Sequence, residues 1–252
     1  MAKPTIAVVE GRAEPTPGSV LLWLHCPALA LAARPGQFVM LRAGPGLDPY
    51  LRLPLPIHRL AEEGLALYAT TADAAYPYLA DLGLGARLDL LGPFGREVLA
   101  PYAGANLALV GQGQAIAPLL ALLDGDWGAA QLVTTVATER QAYPAALLPA
   151  NVAHASFAGR RGEGAFWATV EEAARWAGAI YLSGTPAFYR QARGVIERAR
   201  IVTPPGLAQA WVWRDLACGA GHCGACLTPT RRGPRRVCSE GPFLDLADLV
   251  ID

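Results

Sequence analysis

Lysine is almost missing from this chain of 252 residues: Lys3 is the only one, so arginine carries nearly all of the positive charge. That bias reads as compositional and marks no site. Net charge is missing too, at +0, which removes any electrostatic pull toward DNA, RNA or anionic lipid. No long uninterrupted apolar run is present. The uncharged stretch 107–123 is broken by Gly111, Gln112, Gly113, Gln114 and Pro118, which argues against a membrane span. The N-terminus, MAKPTIAVVEGRAEPTPG, lacks an apolar signal core and a cleavage pattern, so no secretory signal is expected. Cysteine is scarce and four of the five fall in one cluster, which suits a metal site in a reducing, cytoplasmic compartment better than a disulfide framework. Cys26 stands alone in LLWLHCPALA and reads as a small buried hydrophobe. The four histidines, His25, His58, His154 and His222, are scattered, and Glu139, Glu163, Glu171 and Glu172 read as solvated surface. No nucleophile–base pair stands out, so a hydrolase or transferase constellation is not expected and no catalytic residue is assigned.

What is present is an apolar fraction of 53% against 17% charged residues, enough for a substantial core. Short apolar segments at 5–10, 19–25, 36–42, 51–58, 64–71 and 86–91 are joined by Gly- and Pro-rich turns, the pattern of a small antiparallel barrel or sandwich. A short helix is expected over 76–82. After Tyr102 the pattern changes. Buried strands are expected at 107–110, 131–137, 151–157 and 179–183, with helices over 115–123 and 186–199 and a last strand near 208–213. Strands alternating with helices predict a parallel α/β sheet. The expected architecture is therefore a multi-domain β plus α/β protein: a β-barrel over 1–100, an α/β domain over 101–211 and a small cysteine-bearing domain over 212–252.

The most specific signal is CGAGHCGACLTPTRRGPRRVC. It spaces Cys218, Cys223, Cys226 and Cys238 as C-x4-C-x2-C-x11-C. Four thiolates suit tetrahedral zinc or an iron–sulfur cluster. Structural zinc generally uses two C-x2-C pairs, and here only one close pair exists. The C-x4-C-x2-C run is the plant-type [2Fe–2S] spacing. Gly219, Gly221 and Gly224 let the loop wrap closely with N–H groups turned to sulfur. The reading is [2Fe–2S], with zinc and unliganded thiols as the rivals. His222 reads as a solvent-facing loop residue. Arg231, Arg232, Arg235 and Arg236 form a basic run that is either simply solvated or a docking face for an electron-transfer partner.

The stretch LALVGQGQAIAPLLALL offers a strand, Gly111 and Gly113 in a turn, then a helix with Pro118. Such a turn can approach a phosphate. It lacks the third glycine of G-x-G-x-x-G, since Ile116 stands there, and is weak evidence alone.

In order, the chain carries PGQFVML (35–41), LRLPLPI (51–57), LGPFG (91–95), GQGQAIAP (111–118), SGTPAF (183–188), CGAGHCGAC (218–226) and a tail VCSEGPFLDLADLV. This series resembles the ferredoxin–NADP reductase superfamily. More narrowly it is similar to the electron-transfer subunits of heterotetrameric NAD-dependent dihydroorotate dehydrogenases, which serve pyrimidine biosynthesis. The resemblance implies a barrel that binds FAD, a Rossmann-like α/β domain that binds NAD(H), and a C-terminal [2Fe–2S] domain facing an FMN-containing catalytic subunit. It places Arg52 and Pro54 on the flavin strand. Gly111, Gly113 and Pro118 would shape the nicotinamide-nucleotide turn, with Ser183 and Gly184 near the nicotinamide. The chain also departs from the pattern. Leu53 and Pro56 replace an arginine and a hydroxyl residue that grip FAD, and Asp73, Ala74, Ala75 and Tyr76 replace a glycine turn at its pyrophosphate. Either flavin is held through backbone groups around Tyr68, Ala69, Thr70 and Thr71, with stacking from Tyr68, His58 or Tyr76, or the chain has lost FAD and serves as a non-catalytic iron–sulfur partner.

Overall fold

The computed structural model describes residues 3–44, 46, 48–98, 104–125, 131–137 and 143–251. The expected boundary near residue 100 and the surface reading of Glu139 lie outside the described residues.

The first half closes into a six-stranded barrel. Its strands are β1 (Lys3–Ala13), β2 (Ser19–His25), β3 (Phe38–Arg42), β4 (Leu53–Ala61), β5 (Gly64–Thr70) and β6 (Arg87–Phe94), in the order β1-β2-β5-β4-β3-β6. Apolar residues two apart build its core: Leu22 and Leu24, Val39 and Leu41, Leu55 and Ile57, Leu65 and Leu67 all point inward. The outer face is not left to solvent. Leu21, Ala66 and Tyr68 pack into a second apolar cluster shared with the α/β half, and Phe38 and Met40 into a third shared with the C-terminal segment. Pro54 and Pro56 are tolerated in β4 because over that stretch the strand pairs only with β3, and pairing with β5 begins at Ile57. Two short helices cover the barrel, α1 (Pro27–Ala32) and α2 (Tyr76–Leu79). The first was not foreseen, and the second is shorter than the sequence suggested.

The second half is a six-stranded sheet of β7 (Leu107–Gln112), β8 (Gln131–Ala137), β9 (Ala153–Ala158), β10 (Ala179–Ser183), β11 (Ala208–Trp211) and β14 (Phe243–Asp245). Its order is β14-β11-β10-β7-β8-β9, parallel except for β14, which runs antiparallel to β11. The C-terminal segment thus returns to complete the sheet edge, after a small ribbon of β12 (Leu227–Thr228) and β13 (Arg235–Arg236). Helices α3 (Gly159–Trp176) and α4 (Pro186–Ala199) flank the sheet. The helix expected over 115–123 is a 3-10 helix spanning residues 113–124, with Pro118 inside it. Proline cannot donate the i→i−4 bond and its ring crowds the preceding carbonyl, which disfavours the wider helix. Among the described residues no helix is long and apolar enough to cross a membrane.

The two halves are latched together. The Arg59 Nε donates to both Asp124 carboxylate oxygens at 2.9 Å, its terminal nitrogen donates to Asp124 Oδ1 at 2.5 Å, and Leu60 N donates to Asp124 Oδ2 at 2.7 Å. The pair is largely buried, so removing one partner strands the other. Asp124→Ala is expected to cost about 2–3 kcal/mol, read as a lowered melting temperature. An unchanged melt would show that the latch contributes nothing.

Candidate iron–sulfur loop and interdomain cleft

The loop 218–226 has no strand or helix of its own and follows a left-handed path at three glycines, with φ of +68° at Gly219, +83° at Gly221 and +76° at Gly224. Two of them are also forced by space. A Cβ on Gly219 would lie 3.1 Å from Met40 Cγ and 3.3 Å from Phe94, so the loop lies flat on the barrel wall. A Cβ on Gly221 would lie 2.9 Å from Ser239 Oγ. The fourth cysteine arrives on α5 (Val237–Glu240), whose entry is fixed by Glu240: its carboxylate accepts from Arg235 at 2.7 Å and from Arg236 N at 2.9 Å.

The thiols gather as two neighbouring pairs. Cys226 Sγ and Cys238 Sγ are 3.3 Å apart and both residues are buried. Cys218, a free thiol, is hydrogen-bonded to the exposed free thiol of Cys223. Backbone N–H groups converge on the sulfurs. Gly221 N donates to Cys238 Sγ at 3.1 Å. Burial pushes the Cys218 thiol up, but N–H groups of Cys223, Ala220 and His222 outweigh it and bring the group down to about 6. Burial pushes Cys238 up to about 12, with Cys226 adding to the rise. Among the described residues no three Cys, His, Asp or Glu side chains converge on a position for one metal ion. Two thiol pairs under oriented N–H donors would suit the four sulfur ligands of a two-iron cluster better than one tetrahedral ion. His222 is exposed. In the basic run, Arg235 is paired with Glu240 and Arg232 with Asp248 at 3.2 Å, while Arg231 and Arg236 are exposed.

A cleft of about 1170 Å³ runs between the barrel and the α/β half, above the usual range of about 300–1,000 Å³ for small-molecule sites. Of the residues singled out for cofactors, Tyr68, Thr70, Gly113, Pro118, Ser183 and Gly184 line it together. Arg52, Pro54, Ala69 and Gly111 are not among its lining residues. The Arg52 guanidinium is spent on Asp89, donating to both carboxylate oxygens at 2.9 Å and to the Asp89 carbonyl at 3.0 Å. Gly111 serves packing: a Cβ there would sit 2.4 Å from Ile116 Cβ, so the residue in the place of the third glycine needs the first to be bare. Gly184 is bare for a similar reason, with Phe188 only 2.6 Å from a Cβ position. The amides of that turn are already engaged, Gly184 N by the Tyr189 hydroxyl at 3.0 Å and Thr185 N by Gln112 Oε1 at 3.2 Å.

The cleft wall also carries residues that sequence reasoning missed. Trp211 and Trp213 line it and stack on one another, centroids 5.3 Å apart. Trp213 meets Phe38 edge-on at 5.5 Å, and Phe38 meets Phe94 at 5.8 Å. Phe94 abuts Gly219, so a continuous aromatic wall joins cleft and cysteine loop. The rings come from β3, β6 and β11 and the segment after it, and only the tertiary fold brings them together.

His58 is buried on the barrel side of the cleft. Its Nδ1 donates to the Ala117 carbonyl at 2.9 Å, and its Nε2 accepts from the Tyr143 hydroxyl at 3.0 Å. Tyr68 packs on both rings. Burial, opposed by the Ala117 bond and aided by the Arg59 charge, lowers the imidazole from 6.5 to about 4. A folded-state value below the unfolded one means that protonation favours unfolding. The stability is complete above about pH 6.5 and is lost as pH falls toward 4, by about 3 kcal/mol in full. His58→Phe is expected to flatten the dependence of melting temperature on pH across that window. A slope identical to that of the native chain would exclude His58 as its source.

Solved structures share this fold. That of an NADH-dependent reduced ferredoxin–NADP oxidoreductase, described for flavin-based electron bifurcation, superposes with a TM-score of 0.81 at 20% identity, covering 98% of this chain and 90% of that one. The Amycolatopsis cytochrome P450 reductase GcoB gives 0.63 at 20% identity, with 83% and 69% covered. The ferredoxin reductase of carbazole 1,9a-dioxygenase gives 0.65 at 17%, again with 83% and 69% covered. The fold is thus that of the ferredoxin reductases, a closed barrel joined to a parallel α/β sheet, here with a C-terminal cysteine segment. That segment is more particular. Residues 214–250 match the family described as the iron–sulfur cluster binding domain of dihydroorotate dehydrogenase B. The electron transfer subunit of dihydroorotate dehydrogenase B (NAD(+)) from Desulforamulus reducens is 33% identical over 109 residues, 42% of this chain and 42% of that relative. The alignment spans less than half the length of the curated relative.

Proposed function

We propose that the protein is an electron-transfer subunit that carries a [2Fe–2S] cluster on Cys218, Cys223, Cys226 and Cys238. It exchanges electrons between NAD(H), a flavin in the cleft, and an FMN-containing catalytic subunit of the dihydroorotate dehydrogenase type, in a heterotetramer that works in the reducing cytoplasm. The observation that carries the reading is the cysteine loop: four thiols in two pairs, beneath N–H donors, pressed by Gly219 onto the barrel wall that backs the cleft. The cleft has the room and the aromatic walls for a flavin ring. When bound, the flavin would convert between paired and single electrons, and the cluster would carry single ones.

The chain's own residues do the rest. The N–H groups of Ala220, Gly221, His222 and Cys223 favour negative charge on the sulfurs. Met40 and Phe94 keep water from the barrel side of the loop, and the Trp211–Trp213 stack fills the space between loop and cleft. Tyr68 and Thr70, with Ser183 and Gly184 opposite, bound the volume that a flavin and a nicotinamide ring would share.

The test is an iron, sulfide and zinc analysis of anaerobically purified protein, followed by dithionite and NADH reduction watched by electron paramagnetic resonance. Two irons and two sulfides per chain, with a signal from the reduced cluster, are expected. One zinc per chain would overturn the reading. A cluster reduced by dithionite but never by NADH would transfer the weight to the second reading, a non-catalytic iron–sulfur partner, which the replaced residues Leu53, Pro56 and Asp73 favour.

A further inference from the structure

The barrel end of the cleft holds two features that bear on which flavin it takes. The first is an aromatic face. The Tyr68 ring lines the cleft and packs on His58 and Tyr143, with centroids 5.3 and 5.7 Å away. Its hydroxyl is buried beside Thr16 and Ser19, on the turn whose Pro17 and Gly18 form part of the cleft wall.

The second feature is the turn after β5. Thr70, Thr71, Ala72 and Asp73 all line the cleft. A backbone N–H and a hydroxyl at a turn of this kind are the donors that a phosphate oxygen uses. Here Asp73 Oδ2 already takes both, accepting from Thr70 N at 2.8 Å and from Thr70 Oγ1 at 3.0 Å. The turn therefore carries its own anion. No neighbouring cation offsets it among the described lining residues. His58 has both ring nitrogens engaged and is kept neutral by burial. Glu163 adds a second carboxylate to the wall. Arg214, the one described arginine there, comes from the C-terminal side and donates its Nε to Thr228 Oγ1 at 3.2 Å. Around these charges the walls are rings: Tyr68, Trp167, Phe188, Trp211 and Trp213.

We propose that this end of the cleft recognises a neutral planar heteroaromatic ring, held by aromatic contact, and rejects a diphosphate through Asp73. Stated for flavins, the site takes the isoalloxazine ring and discriminates against the dinucleotide tail. The inference rests on the reading that the cleft takes a flavin.

The experiment is a titration of the full chain, cluster in place, with riboflavin, FMN and FAD, followed by quenching of flavin fluorescence. Riboflavin is expected to bind at least as tightly as FAD. Asp73→Asn keeps an acceptor for Thr70 and removes the charge, and is expected to tighten FAD by about tenfold while leaving riboflavin unchanged. Tyr68→Leu removes the ring and is expected to weaken all three flavins alike. FAD bound about tenfold or more tightly than riboflavin by the native chain would overturn the proposal and leave the flavin reading standing. So would an Asp73→Asn effect that is the same for both ligands. Failure of every flavin to bind would overturn both.

Discussion

Cys226→Ser is expected to remove the cluster, with iron per chain falling by about tenfold or more. The effect is large because of where this sulfur sits. Cys226 is 2% exposed, its Sγ lies 3.3 Å from that of Cys238, and it also accepts from Cys238 N at 3.5 Å. A serine oxygen is a hard, shorter and normally protonated ligand, and the buried backbone around it cannot shift to compensate. Loss extends beyond the metal. A cluster that binds only the folded chain adds its binding free energy to stability. The segment 214–250 has little regular structure of its own beyond a two-residue ribbon, a four-residue helix and β14. Cys226→Ser should therefore lower the melting temperature and expose that segment to proteolysis first. Cys26→Ser is the control. Cys26 belongs to the barrel core, where burial raises its thiol to about 11, and changing it should leave iron unaltered. Full iron content in Cys226→Ser would exclude this thiol as a ligand.

That prediction could be written from sequence alone, whereas several others here could not, and the difference is one of range. The cysteine spacing is a local property of 21 residues. The inward pairs Leu22/Leu24, Val39/Leu41 and Leu55/Ile57 are equally local, because a strand alternates its faces at every residue. Long-range partners were hidden. Nothing near Arg52 says that Asp89, 37 positions on, will occupy it, and nothing near His58 announces Tyr143, 85 positions on. Helix α3 was missed for a different reason. It contains Gly159, Gly162 and Gly164, which oppose helix formation, and it stands because Phe166, Val170, Ala173 and Ala174 are buried against the sheet. Gly111 misled in the opposite sense: a bare turn before a helix suggests a phosphate cradle, and the structure fills it with Ile116.

Gly221→Ala should lower the reduction potential of the cluster without removing it. Gly221 has φ +83°, where an alanine costs about 1–2 kcal/mol, and the new methyl would press on Ser239 Oγ at 2.9 Å. Ser239 can turn its hydroxyl aside, but the strain at positive φ is relieved by rotating the peptide that presents Gly221 N to Cys238 Sγ, now 3.1 Å apart. A donor to sulfur stabilises the more negative, reduced cluster more than the oxidised one. Hydrogen bonds to charged groups are worth about 1.5–3 kcal/mol, and about 59 mV corresponds to a tenfold change for one electron. A bond stronger to the reduced than to the oxidised cluster by about 1.4 kcal/mol, a factor of ten, lowers the potential by about 60 mV when it is lost, with the four thiols still in place. Redox titration followed by electron paramagnetic resonance measures this directly, and iron content reports whether the cluster survives. Ser239→Ala separates the two causes: it removes the crowding atom, so the double variant Gly221→Ala/Ser239→Ala should recover part of the shift. A potential unchanged in Gly221→Ala would mean that this N–H is not a determinant of how readily the cluster accepts an electron.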